Sequence, residues 1–533
     1  MEETESAKVY QDDLHSRTAS LSDEDSPTTA VENASLLYYL FLHYHCKCNM
    51  DVIKMCRHAS SFYDDIVKLM PFETINHIVG SAAEGLLISG ISDFDCMVSD
   101  KSEICCDEDC IEDINHTDYS KVLIAHRRHA SPGYTLVLDL NDYFVNDVSI
   151  SKTYGELRTE INELVAARKV QTIALSGKDY IEQYVFFKGI PTHGPANCLK
   201  LSEMNVPLMT QMFSDLMTGE DCVTAISFIC NDILRNWLNR KRIQGWPSEV
   251  LKRQISETQS HVVPVGRKGS KFEKFEWRIC YTEAEIKLVH SLNKVQLMLY
   301  FKLKCFSKAV LKDVCSDITS YIIKNVIFWL AESVPNKYFQ CKYFIPLFRA
   351  TLVCLRKCVK NRYLPNYMIP ERNLFDGKLE SKEQAALVEV MSYWIEKCPI
   401  LEGEKDLLPL YKDVVSRKTD KYLVLQVKLN DDMKKVSKLY NYCLSEMREL
   451  VQSDDLDTIL ADTRRLLGYT DTETCDLFKL DIDENDMSWY GCLKAISNTK
   501  IFKVLTSISH ILLHGKPLKS KIDEKSMKEP ELD

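Results

Sequence analysis

Residues 93–98, Asp-Phe-Asp-Cys-Met-Val, place two carboxylates one residue apart in a segment with the apolar character of a buried β-strand. Residues i and i+2 of a strand point to the same face, so Asp93 and Asp95 share one face and Phe94 lies on the other. Two carboxylates roughly 6–7 Å apart repel each other unless a cation lies between them. The segment therefore predicts a strand whose acidic face binds a divalent metal such as Mg²⁺ or Mn²⁺, with an exposed acidic strand as the alternative.

A Gly-Ser pair, Gly80 and Ser81, ends a preceding strand-like segment, Ile-Asn-His-Ile-Val. A Gly-Ser turn at the start of a helix offers backbone N–H groups and a hydroxyl to a phosphate. A phosphate anchor beside paired carboxylates is what metal-dependent phosphoryl or nucleotidyl transfer requires. A two-metal site usually needs a third carboxylate, and both Asp139 and Asp221 begin or lie in suitable segments. Periodicity does not choose between them.

Composition indicates a soluble globular chain with several domains. The chain has 533 residues, 45% of them hydrophobic and 27% charged, and a net charge of -10. Neither an apolar run long enough to span a membrane nor an apolar signal segment at the acidic N-terminus is visible, so we expect no membrane association. The 20 cysteines should then be reduced thiols, which favours a cytoplasmic location, with the nucleus as the alternative.

The order of patterns along the chain is an acidic tail, a mixed α/β block, a long helical block and a polar tail. From this order and the resemblance described next, we predict five segments: a disordered tail (1–34), an α/β core with an N-terminal helix (35–230), a helical lobe (231–375), a helical C-terminal region (376–514) and a second disordered tail (515–533).

The segment GSAAEGLLISGISDFDCMV (80–98) resembles the core motif of the Mab-21 and cyclic GMP-AMP synthase-like (cGAS-like) nucleotidyltransferases. Further blocks of that family follow in the same order. These blocks are GWPSEVL, VVPVG, EWRICYTEAEIKLV, ITSYIIKN and YMIPERNLF. The resemblance covers about residues 36–375.

This resemblance implies an α+β, bilobal nucleotidyltransferase fold: a mixed β-sheet core and a helical second lobe flank a cleft, followed by the C-terminal helical extension. It also selects Asp221 as the third metal ligand, beside Asp93 and Asp95. By position it assigns triphosphate binding to Gly80 and Ser81. It assigns the remaining nucleotide contacts to Arg278, Glu285, Lys304, Ser320, Tyr321 and Lys324. Each of these has a structural alternative, such as a core ring for Tyr321.

The chain also departs from the family pattern. The vertebrate synthase inserts a zinc-binding thumb rich in His and Cys, but residues 286–316 contain only His290, Cys305 and Cys315 of these types, so we expect no structural zinc. Cys280 occupies a position where serine is common, which affects the expected base selectivity. Ala82 and Ala83 replace bulkier residues after the Gly-Ser pair.

The resemblance predicts an enzyme that senses a ligand and makes a cyclic dinucleotide second messenger in innate immune signalling. Its substrates would be ATP and GTP or other nucleoside triphosphates, with Mg²⁺ or Mn²⁺ as cofactor. We expect a double-stranded nucleic acid activator, RNA in preference to DNA because the zinc thumb is missing. The candidate phosphate contacts are Arg235, Arg240, Lys241, Arg242, Arg267 and Lys268. The alternatives are an inactive Mab-21-type scaffold and an enzyme that extends RNA; the sequence does not indicate the oligomeric state.

Overall fold

The computed structural model describes residues 29–44, 74–86, 94–114, 118–139, 174–183, 192–193, 196–200, 219–242 and 244–398, with isolated residues between 48 and 61 and between 159 and 163. The predicted metal ligand Asp93 lies outside these residues. So do residues 1–28 and 399–533, which include most of the two predicted tails and of the C-terminal region.

Nine strands in the described part of the chain form one mixed sheet. They are β1 (Thr74–Val79), β2 (Phe94–Asp107), β3 (Lys121–His126), β4 (Tyr134–Leu138), β5 (Thr192–His193), β6 (Ala196–Lys200), β7 (Gly219–Ile229), β8 (Ser260–Val263) and β9 (Glu276–Cys280). The strand order is β1-β2-β3-β4-β9-β8-β7-β6-β5, and β2 also pairs with β7. The predicted acidic strand is therefore a central strand of the sheet.

Strand β2 is long enough to pair with two different strands along one of its edges. Its first half pairs antiparallel with β1, and its second half pairs parallel with β3. Strand β7 runs parallel to β2 along the other edge, with a register shift between Ser99 and Ile104. Since β3 continues through β4, β9 and β8 back to β7, these pairings form a closed ring of six strands that includes β2. A strand paired on both edges is strongly held in register, which fixes the positions of its side chains.

The helices pack against this sheet and against one another. They are α1 (Thr29–Tyr44), α2 (Gly80–Glu84), α3 (Gly177–Gln183), α4 (Asn231–Asn239), α5 (Glu249–Ser256), α6 (Thr282–Ser291), α7 (Lys294–Phe306), α8 (Ser320–Ser333), α9 (Phe344–Asn361) and α10 (Ser381–Lys397). One continuous apolar core joins both parts of the structure, and it includes Trp277 of β9, Tyr300 of α7, Trp329 of α8 and Phe348 of α9. The sheet and the helices are thus tied together by shared burial of large side chains.

The structure confirms the α+β class and differs from the expected patterns in two places. Helix α1 begins at Thr29, inside the segment predicted to be a disordered tail. Strands β8 and β9 lie in a region that the sequence pattern predicted to be mostly helical. Strands β8 and β9 are short and bounded by loops. Their conformation is determined by pairing with other strands of the sheet and not by local periodicity. None of the helices described here has the length and apolarity that a membrane crossing requires.

Candidate active site

Two of the three predicted metal ligands lie side by side in the sheet. Asp95 of β2 and Asp221 of β7 are direct partners in the parallel pairing of these strands. Directly paired residues of neighbouring parallel strands lie roughly 5 Å apart and point to the same face of the sheet. Both side chains are partly accessible. The pairing therefore presents two carboxylates together on one face of the sheet.

Asp139, the other candidate for the third carboxylate, lies far from Asp95. It follows the end of β4 and forms an ion pair with Lys121 of β3, with 2.9 Å between Nζ and Oδ2. Strand pairing sets Leu138 level with Ile124, and Ile124 level with Cys106 at the far end of β2. At about 3.3 Å per residue, that position is more than about 20 Å along the strand from Asp95.

The predicted Gly-Ser turn lies directly against Asp95. Strand β1 ends at Val79, which pairs with Asp95, and α2 begins at the next residue, Gly80. Gly80 has a φ of 61°, and a Cβ atom at this position would lie 2.0 Å from Oδ2 of Asp95. Glycine is therefore required at position 80 for two reasons: it adopts this backbone conformation without strain, and it has no Cβ atom to clash with the carboxylate of Asp95.

Lys304 reaches this turn from the helical part of the structure. The Nζ atom of Lys304, on α7, donates hydrogen bonds to Oγ of Ser81 (2.7 Å) and to the carbonyl oxygen of Leu86 (2.9 Å). The side chain is fully buried, and this burial lowers the pKa of Lys304 to about 8, although Glu84 favours the charged form. Three predicted nucleotide-binding residues, Gly80, Ser81 and Lys304, thus lie together.

A second group of predicted nucleotide contacts forms a buried ionic cluster. Lys324 of α8 lies between two carboxylates, 3.1 Å from Oε1 of Glu84 and 2.8 Å from Oε2 of Glu285. The hydroxyl of Tyr321 donates to Oε1 of Glu285 (2.9 Å). Burial disfavours the charge on Lys324, but Glu285 and Glu84 outweigh it and raise its pKa. The cluster connects α2, α6 and α8.

Three members of this cluster were not identified from the sequence. Glu84 also accepts a hydrogen bond from the hydroxyl of Tyr300 (3.0 Å), and Asn366 donates to the hydroxyl of Tyr321 (2.8 Å). One signal pointed to Glu84: it is the only Asp, Glu, Lys or Arg between residues 74 and 92. A charge in such an apolar segment is expected to have a buried partner. No comparable signal marked Tyr300 or Asn366.

The two remaining predicted nucleotide contacts lie on neighbouring elements. Arg278 of β9 pairs across the sheet with Tyr134 of β4 and with Val263 of β8. Ser320 is the first residue of α8 and precedes Tyr321, which belongs to the ionic cluster. Their roles stay predictions, as do those of the other site residues.

The predicted nucleic-acid contacts divide into buried and exposed groups. Arg240 lies over the rings of Trp329 and Tyr367, at 4.6 Å from each centroid. Arg242 is only 3% exposed, and both guanidinium groups donate to the buried carboxylate of Glu332. These two arginines are positioned to stabilise the fold, and their guanidinium groups are not available to phosphates.

The other predicted nucleic-acid contacts lie at the surface. Arg235, Lys241 and Lys268 are exposed. Arg267 is partly exposed and forms a bidentate pair with Asp376, at 2.7 Å and 2.9 Å. A phosphate group would have to compete with Asp376 for Arg267, so the three exposed residues are the better candidates.

Residues 289–393 match the family model of the Mab-21 protein HhH/H2TH-like domain. The matched segment contains α7, α8 and α9 and most of α10, and therefore Lys304, Ser320, Tyr321 and Lys324. It lies in the part of the chain where the SYIIKN and YMIPERNLF blocks were identified. The match supports membership of this chain in the Mab-21 and cGAS-like family.

Proposed function

We propose that this protein is a metal-dependent nucleotidyltransferase that makes a cyclic dinucleotide from nucleoside triphosphates. The observation that carries the proposal is the pairing of Asp95 with Asp221, next to the Gly80–Ser81 turn and Lys304. In this proposal the sheet and the helical region are the two lobes of a nucleotidyltransferase fold, and the substrates bind in a cleft between them. Membership of the Mab-21 and cGAS-like family supports this assignment.

The donor set fits Mg²⁺ or Mn²⁺. Carboxylate oxygens are the ligands these ions prefer, and Asp95 and Asp221 offer them from one face of two neighbouring strands. Gly80 leaves room for the Asp95 carboxylate where any larger residue would fill it. Asp93, if β2 continues as the sequence predicts, would add a third carboxylate on the same face. Bound there, the metal would neutralise phosphate charge and lower the pKa of a coordinated hydroxyl.

The side chains of this chain would orient two nucleotides for in-line attack. Gly80 and Ser81 would hold the triphosphate of the first nucleotide, with Lys304 neutralising its charge. A ribose hydroxyl of the second would form a bond to the α-phosphorus of the first, and the bond to pyrophosphate would break. Asp221 would accept the hydroxyl proton. Repeating the step within the linear product would close the ring.

The second nucleotide would lie over the ionic cluster. Tyr321 presents an aromatic ring for base stacking, and Arg278 and Glu285 provide a donor and an acceptor for base edges. Because Glu285 already binds Lys324 and Tyr321, its orientation is fixed before the nucleotide arrives. Such preorganisation lowers the cost of ordering the site on binding.

We also propose that double-stranded RNA activates the enzyme, in the cytoplasm, through Arg235, Lys241 and Lys268. Their exposed positive charges can neutralise phosphates, and such binding weakens steeply as salt concentration rises. Replacing Arg235 and Lys241 by alanine should reduce the slope of log affinity against log salt by about 0.9 for each phosphate that is no longer neutralised. An unchanged slope would assign RNA binding, if present, to other residues.

The function is tested by mass spectrometry of reactions that contain all four nucleoside triphosphates, Mg²⁺ or Mn²⁺, and long double-stranded RNA. We expect a cyclic dinucleotide from the wild-type chain and none from Asp95→Asn or Asp221→Asn. The control is Asp109→Asn, which changes an exposed aspartate just beyond the far end of β2 and should keep full activity. Lengthened RNA in place of the cyclic product would indicate an RNA-extending enzyme. No nucleotide product with any activator would indicate an inactive Mab-21-type scaffold.

A further inference from the structure

Three side chains with metal-binding atoms meet away from the carboxylate pair. They are His77 on β1, His261 on β8 and Glu283 on α6, and one ligand atom of each lies within 4.8 Å of the other two. The Nε2 atom of His77 is 3.8 Å from Oε1 of Glu283, and the rings of His77 and His261 are 5.8 Å apart between centroids. The three residues come from distant parts of the sequence, and folding brings them together.

His261 is the unusual member of this group. Its side chain is 1% exposed, and neither Nδ1 nor Nε2 has a hydrogen-bond partner among the described residues. Buried polar groups are nearly always partnered, so an imidazole with both nitrogens unsatisfied needs an explanation. An ion pair between His77 and Glu283 alone would not explain why both ring nitrogens of His261 are unsatisfied.

Although the missing zinc thumb led to the expectation of no structural zinc, we propose that His77, His261 and Glu283 bind a Zn²⁺ ion. Two imidazoles and one carboxylate are a ligand set typical of zinc, whereas Mg²⁺ prefers oxygen ligands alone. Ligand atoms of a tetrahedral zinc ion are separated by about 3.4 Å, which follows from bonds of about 2.0–2.1 Å. The 3.8 Å between His77 and Glu283 is close to that separation, and the ligand atom of His261 lies within 4.8 Å of both, so side-chain movements of about 1–2 Å would complete the site.

Three protein ligands leave the fourth position of the metal to water or a small anion. This position can be reached from solvent, because the side chains of His77 and Glu283 are 21% and 28% exposed while His261 forms the floor. The ion would join β1, β8 and α6. Strand β1 leads into the Gly80–Ser81 turn, and α6 carries Glu285, so the metal would brace two elements of the candidate active site. The inference does not depend on the proposed function.

The test is direct measurement of metal binding by the full-length chain. Metal content would be measured by mass spectrometry after purification without chelator, and ZnCl₂ would be titrated into chelator-treated protein by calorimetry. We expect one zinc ion per chain at this site and a rise in thermal midpoint with ZnCl₂ that MgCl₂ does not produce. His77→Gln and Glu283→Gln, both at partly exposed positions, should each weaken binding about a hundredfold or more. His129→Gln, which removes an exposed imidazole elsewhere, should bind as the wild type does.

Cobalt distinguishes this site from the many thiols of the chain. Co²⁺ bound by two imidazoles and a carboxylate shows visible bands of a tetrahedral site but lacks the near-ultraviolet charge-transfer band of thiolate ligands. His261→Gln, which is buried, is interpreted only if its chelator-treated form unfolds at the wild-type temperature. The proposal is overturned if the wild-type chain binds no zinc, if His77→Gln and Glu283→Gln both bind it normally, or if the cobalt spectrum shows thiolate ligands.

Discussion

The ionic cluster around Lys324 makes a strong prediction about stability. The side chains of Lys324, Glu84 and Glu285 are 8%, 2% and 6% exposed, so water cannot solvate an unpaired charge there. Replacing Lys324 by methionine keeps the side chain's size but leaves two buried carboxylates without their cation. Removing one partner of a buried ion pair typically costs about 3–5 kcal/mol.

Amide hydrogen exchange in α8 is a suitable assay, because it reports the loss of stability at the helix that carries Lys324. At about 1.4 kcal/mol per factor of ten, exchange of these amides should accelerate by roughly a hundredfold to several thousandfold in Lys324→Met. The control is Lys342→Met. Its pair with Glu32 is 3.5 Å long and 40% and 30% exposed, so little protection should be lost.

A further variant identifies the cause of the loss. Adding Glu84→Gln and Glu285→Gln to Lys324→Met removes the unpaired charges and should restore much of the protection, since neutral partners do not carry the cost of a buried charge. If the amides of α8 lose no more protection in Lys324→Met than in the Lys342→Met control, Lys324 does not stabilise the two carboxylates as an ion-pair partner. That result would mean that water or protons reach the two carboxylates.

Three further predictions concern other parts of the structure. Gly80→Ala forces a side chain into a φ of 61° and against Asp95, so it should cost about 1–2 kcal/mol in thermal stability. It should also lower nucleotidyl transfer about a hundredfold by displacing that carboxylate. Folding lowers the pKa of Lys304 from 10.5 to about 8. Between these two pH values the unfolded chain binds more protons than the folded chain. The contribution of Lys304 to the free energy of unfolding therefore rises with pH. Relative to Lys304→Met, wild-type stability should therefore gain about 3 kcal/mol between pH 8 and 10.5, and a difference that stays constant with pH would contradict the assignment. Arg242→Met should cost about 1.5–3 kcal/mol, because Glu332 loses one charged hydrogen bond but keeps its pair with Arg240, and a variant that unfolds at the wild-type temperature would show that Arg242 does not stabilise the fold.

The strands that carry the candidate site were predictable because their signals are local. Apolar segments with strong β-formers identified β1 and β2, and the Gly-Ser pair identified the turn before α2. The position of Asp221 next to Asp95 was not predictable from periodicity, because it depends on the pairing of β2 with β7, which lies more than 100 residues later in the sequence. Local patterns left Asp139 equally suitable, and the family resemblance made the choice.

The basic segment that contains Arg240 and Arg242 shows the opposite limit. Arg240 and Arg242 lie in a basic stretch of sequence, which is the usual sign of a nucleic-acid surface. Glu332, which binds both, lies on another helix, and its burial is visible only in the folded chain. The histidine and glutamate group was missed for the same reason. Each ligand comes from a different element, so no spacing motif marks it.

The central claim is that Asp95 and Asp221 hold a catalytic metal. Anomalous diffraction from crystals of the protein soaked with Mn²⁺ and a non-hydrolysable triphosphate analogue would test it most directly. We expect a manganese peak about 2.1 Å from a carboxylate oxygen of each residue, with the triphosphate against the Gly80–Ser81 turn. A bound analogue with no manganese at either carboxylate, or with Asp221 turned away from Asp95, would contradict it.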